Sequence, residues 1–309
     1  MILLGLRLGA LAVTDEEIAR AVKELGAGDY RTREAATKLL WSAGRAATNT
    51  LQKAGQSDDP EVAIRARQIL TNIQCGITPD TPPAVAALVQ RYAAADLPGK
   101  QAVVVDLVGL GDPAQPALLA LAAAEPRLER RLEIFQPVLE PTVSIIEDFL
   151  GADKPTDEQT SRGLKAMRLL EAMVPEDPTV SLRVVVRLDQ LGRRREADDA
   201  FARAQAAQQK LCERFPATPD PHNNLAWLCA VSRRQLDDGL VHAQRAVELA
   251  PNAPAYLDTL AEIRFQKGDK DRALELIKKC IELEPDNDYF QKQRERFSKG
   301  RREDPPPEP

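Results

Sequence analysis

Residues 254–285 read PAYLDTLAEIRFQKGDKDRALELIKKCIELEP, and this stretch decides the fold class of the chain. On both sides of Gly268 its apolar residues recur every three or four positions, which is the spacing of one helix face. Small side chains such as Ala261 and Ala273 let two helices cross closely, and a glycine permits the tight turn between them. The stretch therefore predicts a hairpin of two antiparallel helices that ends at Pro285.

A similar stretch comes directly before it, since Pro251 and Pro285 lie 34 residues apart. Proline, glycine and small residues repeating with this period resemble the tetratricopeptide repeat family. The resemblance implies helical hairpins that begin near Pro178, at Pro219 and at Pro254, the first of them degenerate.

The two earlier hairpins depart from the pattern of the last one. The turn at residues 232–235, Ser-Arg-Arg-Gln, has no glycine and is expected to be one residue longer. In the degenerate hairpin the second helix is expected to overrun to Phe215. Residues 163–175 are a candidate for the second helix of a still earlier unit.

The end of such an array needs a cover, because each hairpin leaves an apolar face that only the next one buries. Residues 288–298 predict an amphipathic capping helix that brings Tyr289, Phe290 and Phe297 to this face. The tail that follows is rich in proline and charge, so we expect it to be disordered.

The first half of the chain carries a looser helical pattern. A capping box from Thr14 to Glu17 opens one helix, and a second helix is expected over residues 30–43. The helix expected after Pro60 repeats the apolar pattern of the second one. Residues 100–121 echo residues 32–51, with helices separated by Asp-Asp-Pro or Gly-Asp-Pro turns. This arrangement resembles HEAT or armadillo repeats.

The predicted fold is therefore all-α, a right-handed superhelix of helical hairpins in which HEAT-like repeats precede tetratricopeptide-like ones. Aromatic residues make up only 4% of the chain, and this scarcity also favours helices over sheets. The predicted segments are a signal remnant or tail (1–13), HEAT-like repeats (14–150), a linker with a possible half repeat (151–177), the tetratricopeptide-like array with its cap (178–298), and the tail (299–309).

The N-terminus has two interpretations. Residues 2–13 are apolar and end in the small-x-small form of a signal-peptidase site, but no basic segment precedes them and Arg7 interrupts the run. They are too short to span a bilayer as a helix. If this segment is a signal remnant, the protein is exported to the cell envelope, and this location is favoured over the cytoplasm. The alternative interpretation of the segment is a first amphipathic helix or a tail.

The sequence contains none of the common catalytic or phosphate-binding motifs. His222 and His242 fall inside the repeats and are interpreted as ordinary helix residues, and the four cysteines as apolar packing residues with no zinc-like spacing. No catalytic, cofactor-binding or metal-binding residue is predicted, and we expect no enzyme activity. The net charge of −5 and the absence of a nucleic-acid-binding motif give no reason to expect a nucleic-acid partner.

The remaining candidate site is the concave groove that the tetratricopeptide resemblance implies. In that family the first helix of each hairpin lines the groove, and a peptide is held by polar and apolar side chains together. The corresponding residues of this chain are Leu182, Arg183, Val186, Asn223, Asn224, Trp227, Asp258, Thr259, Glu262 and Phe265.

The predicted function is a scaffold that binds another protein or peptide in this groove, without a cofactor. The alternative is a structural or chaperone-like accessory subunit of a cell-envelope assembly. Since repeat folds accept many ligands, the resemblance does not identify the partner.

Overall fold

The computed structural model describes residues 13–307, and every regular element in this range is a helix. The expectation that residues 1–13 form a signal remnant or tail therefore falls almost entirely outside the described residues. The chain divides into two compact units, residues 1–140 and 141–309. No helix in the described range is long and apolar enough to cross a membrane.

The N-terminal unit consists of short helices and two 3₁₀ turns, at Gly44–Ala47 and Asp112–Ala114. Its helices are α1 (Asp15–Glu24), α2 (Tyr30–Ala43), α3 (Thr48–Ala54), α4 (Pro60–Gln74), α5 (Pro83–Ala94), α6 (Leu97–Gly109), α7 (Gln115–Ala124) and the first part of α8 (Leu128–Gly151).

The first four helices of this unit pack around one core, which contains Leu25, Leu40, Leu51 and Ile69. The expected capping box begins α1, where the Thr14 hydroxyl oxygen accepts from a backbone N–H and a glutamate accepts from the Thr14 N–H in return. These polar contacts satisfy the helix end while the apolar face turns inward.

The echo between residues 32–51 and 100–121 has a structural counterpart. In both stretches a glycine with positive φ follows the end of a helix: Gly44 (56°) comes directly after α2, and Gly111 (68°) comes two residues after α6. A 3₁₀ turn and a short helix follow in each case. Glycine fits both positions because other residues rarely adopt this backbone conformation. The repetition detected in the sequence is therefore also a repetition of local backbone structure.

Helix α8 crosses the boundary between the units, which falls at Glu140 and Pro141. Pro137 and Pro141 both lie inside this helix, and each removes one backbone hydrogen bond. Residues 152–156 connect α8 to the next helix and fall in the segment predicted as a linker with a possible half repeat, 151–177.

The C-terminal unit continues with helices that pair in chain order. They are α9 (Asp157–Met173), α10 (Thr179–Gln190), α11 (Arg194–Arg214), α12 (Pro219–Ser232), α13 (Leu236–Leu249), α14 (Pro254–Gln266), α15 (Lys270–Leu283) and α16 (Asp288–Lys299). The hairpins α10–α11, α12–α13 and α14–α15 each pack as a pair. Successive first helices also pack on each other, α10 on α12 and α12 on α14. This neighbour-to-neighbour packing of hairpins confirms the predicted class, an all-α helical-repeat fold.

Two glycines allow close approaches between helices. A side chain at Gly239 would come within 2.7 Å of the Cys229 Cβ, and one at Gly163 would come equally close to the Phe149 Cβ. The overrun of α11 to Arg214 is confirmed. The expectation of a longer turn between α12 and α13 is wrong, because three residues separate the helices there as they do between α14 and α15.

Candidate interaction surface

The candidate groove residues on α10 differ in how far they are exposed. Leu182 is buried in the core, Val186 is half-buried against it, and Arg183 is exposed. The Arg183 guanidinium donates to both carboxylate oxygens of Glu147, at 2.6 and 2.8 Å. This bidentate pair holds the side chain in one orientation and largely neutralises its charge.

On α12 the three candidate residues are all half-buried. The Asn224 side-chain amide donates to the Glu176 carbonyl at 3.3 Å. The Oδ1 atom of Asn223 is enclosed and accepts no hydrogen bond from the described residues. Trp227 packs its ring against the core of the C-terminal unit.

The two tryptophans of the chain differ in their hydrogen bonds. The indole N–H of Trp41 donates to the Ile77 carbonyl at 2.6 Å. Within residues 13–307, the indole N–H of Trp227 has no acceptor. A half-buried tryptophan with a free donor can give a ligand both apolar contact and one hydrogen bond.

On α14 the four candidate residues are buried, with exposed fractions of 5% or less for Asp258, Thr259, Glu262 and Phe265. Three of them, Asp258, Glu262 and Phe265, contact the protein's own capping helix, α16. They are therefore not accessible to a partner while α16 is in place. This burial differs from the expectation that all ten candidate residues line an open groove.

The contacts beneath α16 are both polar and aromatic. Tyr289 donates to Asp258 at 2.9 Å, and the Gln293 amide donates to Asp258 and to Glu262. Arg296 forms a close ion pair with Glu262. Aromatic rings complete the contact. The centroids of the Phe265 and Phe297 rings lie 4.6 Å apart, and the Arg296 guanidinium stacks over both rings.

Burial controls the protonation of this cluster. It raises the pKa of Asp258 to about 7, against the opposing effect of the hydrogen bonds from Tyr289 and Gln293. It also raises the pKa of Glu262, although the charge of Arg296 acts in the opposite direction. Burial and the nearby charge of Asp258 together raise the pKa of the Tyr289 hydroxyl well above its ordinary value.

The tail after α16 contacts the same region. The Gln266 amide donates to the Arg302 carbonyl, and the Arg302 guanidinium donates to the Gln266 carbonyl, both at 3.2 Å. Arg296 donates to the Asp304 carbonyl at 2.7 Å. The tail was expected to be disordered, but its Arg302 and Asp304 carbonyls accept hydrogen bonds from the buried side chains of Gln266 and Arg296.

Sequence reasoning missed one group of residues altogether. His222 and His242 were interpreted as ordinary helix residues, but their two Nδ1 atoms lie 2.8 Å apart and Cys212 lies beside them. His222 is only 8% exposed. Burial raises the pKa of the Cys212 thiol to about 11 and, together with the charge of His222, lowers the pKa of His242. The spacing of the three residues matches no known motif, so only the packing of the helices brings them together.

No family model matches the chain. Among solved structures, the chain is similar to YrrB, described as "a TPR protein with an unusual peptide-binding site". The identity is 14%, and the match covers 69% of this chain and 100% of YrrB with a TM-score of 0.34. A likeness at this level carries no argument about function. The class of protein, an all-α array of helical hairpins, therefore rests on the packing of its own helices.

Proposed function

We propose that the C-terminal unit is a non-enzymatic scaffold that binds an extended segment of another protein across α10 and α12. The observation that carries the proposal is Trp227, a half-buried aromatic side chain whose indole N–H has no acceptor among the described residues. Tryptophan is enriched among the residues that dominate binding energy at protein interfaces. The other tryptophan, Trp41, is also half-buried, but its indole N–H is occupied by the Ile77 carbonyl.

The neighbouring side chains support a peptide as the ligand. Val186 on the adjacent helix α10 is also half-buried against the same core, so apolar surface lies on both helices. The Asn224 side-chain amide can make hydrogen bonds beyond its one bond to the Glu176 carbonyl, so it can also pair with a peptide backbone. Because Arg183 is already paired with Glu147, we expect an apolar anchor residue in the partner rather than an acidic one.

We limit the proposed surface to Arg183, Val186, Asn223, Asn224 and Trp227, because Leu182 and the four candidate residues on α14 are buried. We also propose that the N-terminal unit consists of HEAT-like repeats, a proposal supported by the recurrence of the helix, positive-φ glycine and 3₁₀ turn. The predicted segment boundaries and the export of the protein remain proposals of the same kind.

A photo-cross-linking experiment tests the proposed surface. Benzoylphenylalanine is placed at Gln190, which is exposed on α10, or at Val241, which is 65% exposed on α13 and serves as the control. After irradiation in the native host, we expect a specific cross-linked partner from position 190 and none of it from position 241. The partner identified in this way is then prepared for binding measurements.

Substitution of Trp227 measures what this side chain contributes. Trp227→Ala is expected to weaken binding of the partner at least about 30-fold, the effect of losing a residue worth 2 kcal/mol. Trp227→Phe keeps the apolar contact and loses only the N–H donor, so its effect should be smaller. Equal cross-linking from positions 190 and 241, or unchanged affinity in a folded Trp227→Ala variant, contradicts the proposal.

A further inference from the structure

Three side chains from three consecutive helices meet inside the C-terminal unit. Cys212 comes from α11, His222 from α12 and His242 from α13. The Cys212 sulfur and one ring nitrogen of each histidine all lie within 4.8 Å of one another. Cys212 and His222 are buried, with exposed fractions of 4% and 8%, and His242 is half-buried.

The donor set identifies the kind of ion that fits. Sulfur and imidazole nitrogen suit borderline-soft transition metals such as Zn²⁺, whereas Mg²⁺ and Ca²⁺ prefer oxygen ligands. Two histidines and one cysteine supply three of the four ligands of a tetrahedral zinc ion. Three protein ligands leave a fourth position for water or another small ligand.

The distances are close to those that such an ion requires. With Zn–N of about 2.0–2.1 Å and Zn–S of about 2.3 Å, the ligand atoms of a tetrahedral site lie roughly 3.4–3.6 Å apart. The two Nδ1 atoms, now 2.8 Å apart, would have to separate slightly. The sulfur would have to move inward by on the order of 1 Å, given the same bond lengths. Side-chain rotation can supply shifts of this size without unpacking the helices.

A second observation also points to a missing ligand. Two facing Nδ1 atoms can share only one hydrogen, whereas a single metal ion can bind both nitrogens at the same time. The ring of His222 is held in the packed interior, with an exposed fraction of only 8%. Packing alone therefore does not explain why two histidine rings are held together beside a buried thiol.

We propose that Cys212, His222 and His242 form a binding site for a single transition-metal ion, with Zn²⁺ the best match. Binding replaces the proton of the Cys212 thiol with the metal, so one proton is released and no electrons are transferred. The ion would link α11, α12 and α13 and stabilise their packing, because it binds the folded state more tightly than the unfolded chain. The site is independent of the proposed peptide surface.

Cobalt provides the direct test, because Co²⁺ takes the place of Zn²⁺ and is visible by absorption. The full chain is reduced, stripped of metal and titrated with CoCl₂. We expect one equivalent to produce a thiolate-to-cobalt charge-transfer band and the intense visible bands of tetrahedral cobalt. Zn²⁺ should displace Co²⁺, so it should abolish the charge-transfer band and the visible bands, and it should raise the thermal unfolding midpoint.

Variants assign the signal to the three residues. Cys212→Ala should abolish the charge-transfer band, and His242→Gln should weaken Co²⁺ binding at least about 100-fold, the upper end of what outer-shell substitutions cost. Cys280→Ala is the matched control, since Cys280 is also a buried thiol but has no histidine beside it. It should bind Co²⁺ as the wild type does.

Two results would overturn the proposal. One is a wild-type protein that shows no charge-transfer band with excess Co²⁺. The other is a band that persists in Cys212→Ala and disappears in Cys75→Ser, because Cys75 is the more accessible thiol and such a signal would be adventitious. If Cys212→Ala does not fold, as circular dichroism will show, His242→Gln decides the question because its side chain is only half-buried.

Discussion

The hairpins α12–α13 and α14–α15 follow the same sequence pattern, yet their first helices differ in what covers them. Position by position, Asn223 and Trp227 of α12 correspond to Asp258 and Glu262 of α14. The two residues of α12 are half-buried, and those of α14 are buried under α16. The repeat pattern therefore determines the direction in which a side chain points, and the element packed next determines whether a partner can reach it.

The contacts of α14 with α16 show which chemical groups a ligand of such a first helix has to present. Helix α16 presents a tyrosine hydroxyl, an amide, a guanidinium and an aromatic ring, and each of them meets a complementary group on α14. On α12 the corresponding groups are neutral amides and an indole. We expect the partner of α12 to be neutral and apolar where α16 is basic and aromatic.

The largest expected difference between the two helices is in how much one aromatic side chain of each contributes to the free energy of unfolding. Phe265→Ala removes a ring that is 1% exposed and packed against Phe297, so it should lower the free energy of unfolding by about 3–5 kcal/mol. Trp227→Ala should cost about 1–2 kcal/mol, because its ring is only half-buried. Urea unfolding followed by circular dichroism measures both values. Equal losses would show that the two helices are covered to the same extent.

The second difference is in pH dependence. The pKa of Asp258 is raised from 3.8 to about 7. Between these two pH values the carboxyl is protonated in the folded protein and ionised in the unfolded chain. The stability that this protonated carboxyl contributes is complete below about pH 4 and is lost as the pH rises from about 4 through about 7, by up to about 1.4 kcal/mol per pH unit. The titratable and polar groups that face it are Glu262, Cys280, Tyr289, Gln293 and Arg296.

Asp258→Asn makes α14 resemble α12, which carries Asn223 at this position. The stability of this variant should vary less between pH 4 and pH 8 than that of the wild type, because an amide does not titrate. Urea unfolding at several pH values measures the difference between the two proteins. If they show the same slope, Asp258 is not the group that links the cap to pH.

The smallest expected effect concerns the turns of the two hairpins. Gly268 has a φ of 89°, whereas Arg233 and Gln235 adopt positive φ without being glycine. Arg233→Gly should stabilise the protein by about 0.5–1 kcal/mol, and Gly268→Ala should destabilise it by about 1 kcal/mol. Arg233→Ala is the control, because it removes the side chain and keeps the Cβ. Thermal unfolding measures all three, and a Gly variant no more stable than the Ala variant would rule out backbone strain at this turn.

The sequence by itself determined the helices, because their signals are local. Helix α2 begins and ends where the pattern predicted, and α1 begins at its expected capping box. Apolar spacing, caps and turn glycines act over a few residues, so a single sequence is enough to read them. The hairpin pairing and the capping helix followed from the same signals.

Only the tertiary structure decided which of these surfaces stay open and which side chains meet. Helix α16 lies about 30 residues beyond the residues of α14 that it covers, and no local pattern links Gln293 or Arg296 to Asp258 and Glu262. Cys212, His222 and His242 likewise lie on three different helices, and each looked ordinary in its own stretch. Contacts of this kind depend on how helices pack in three dimensions, which the spacing of residues along one helix does not encode.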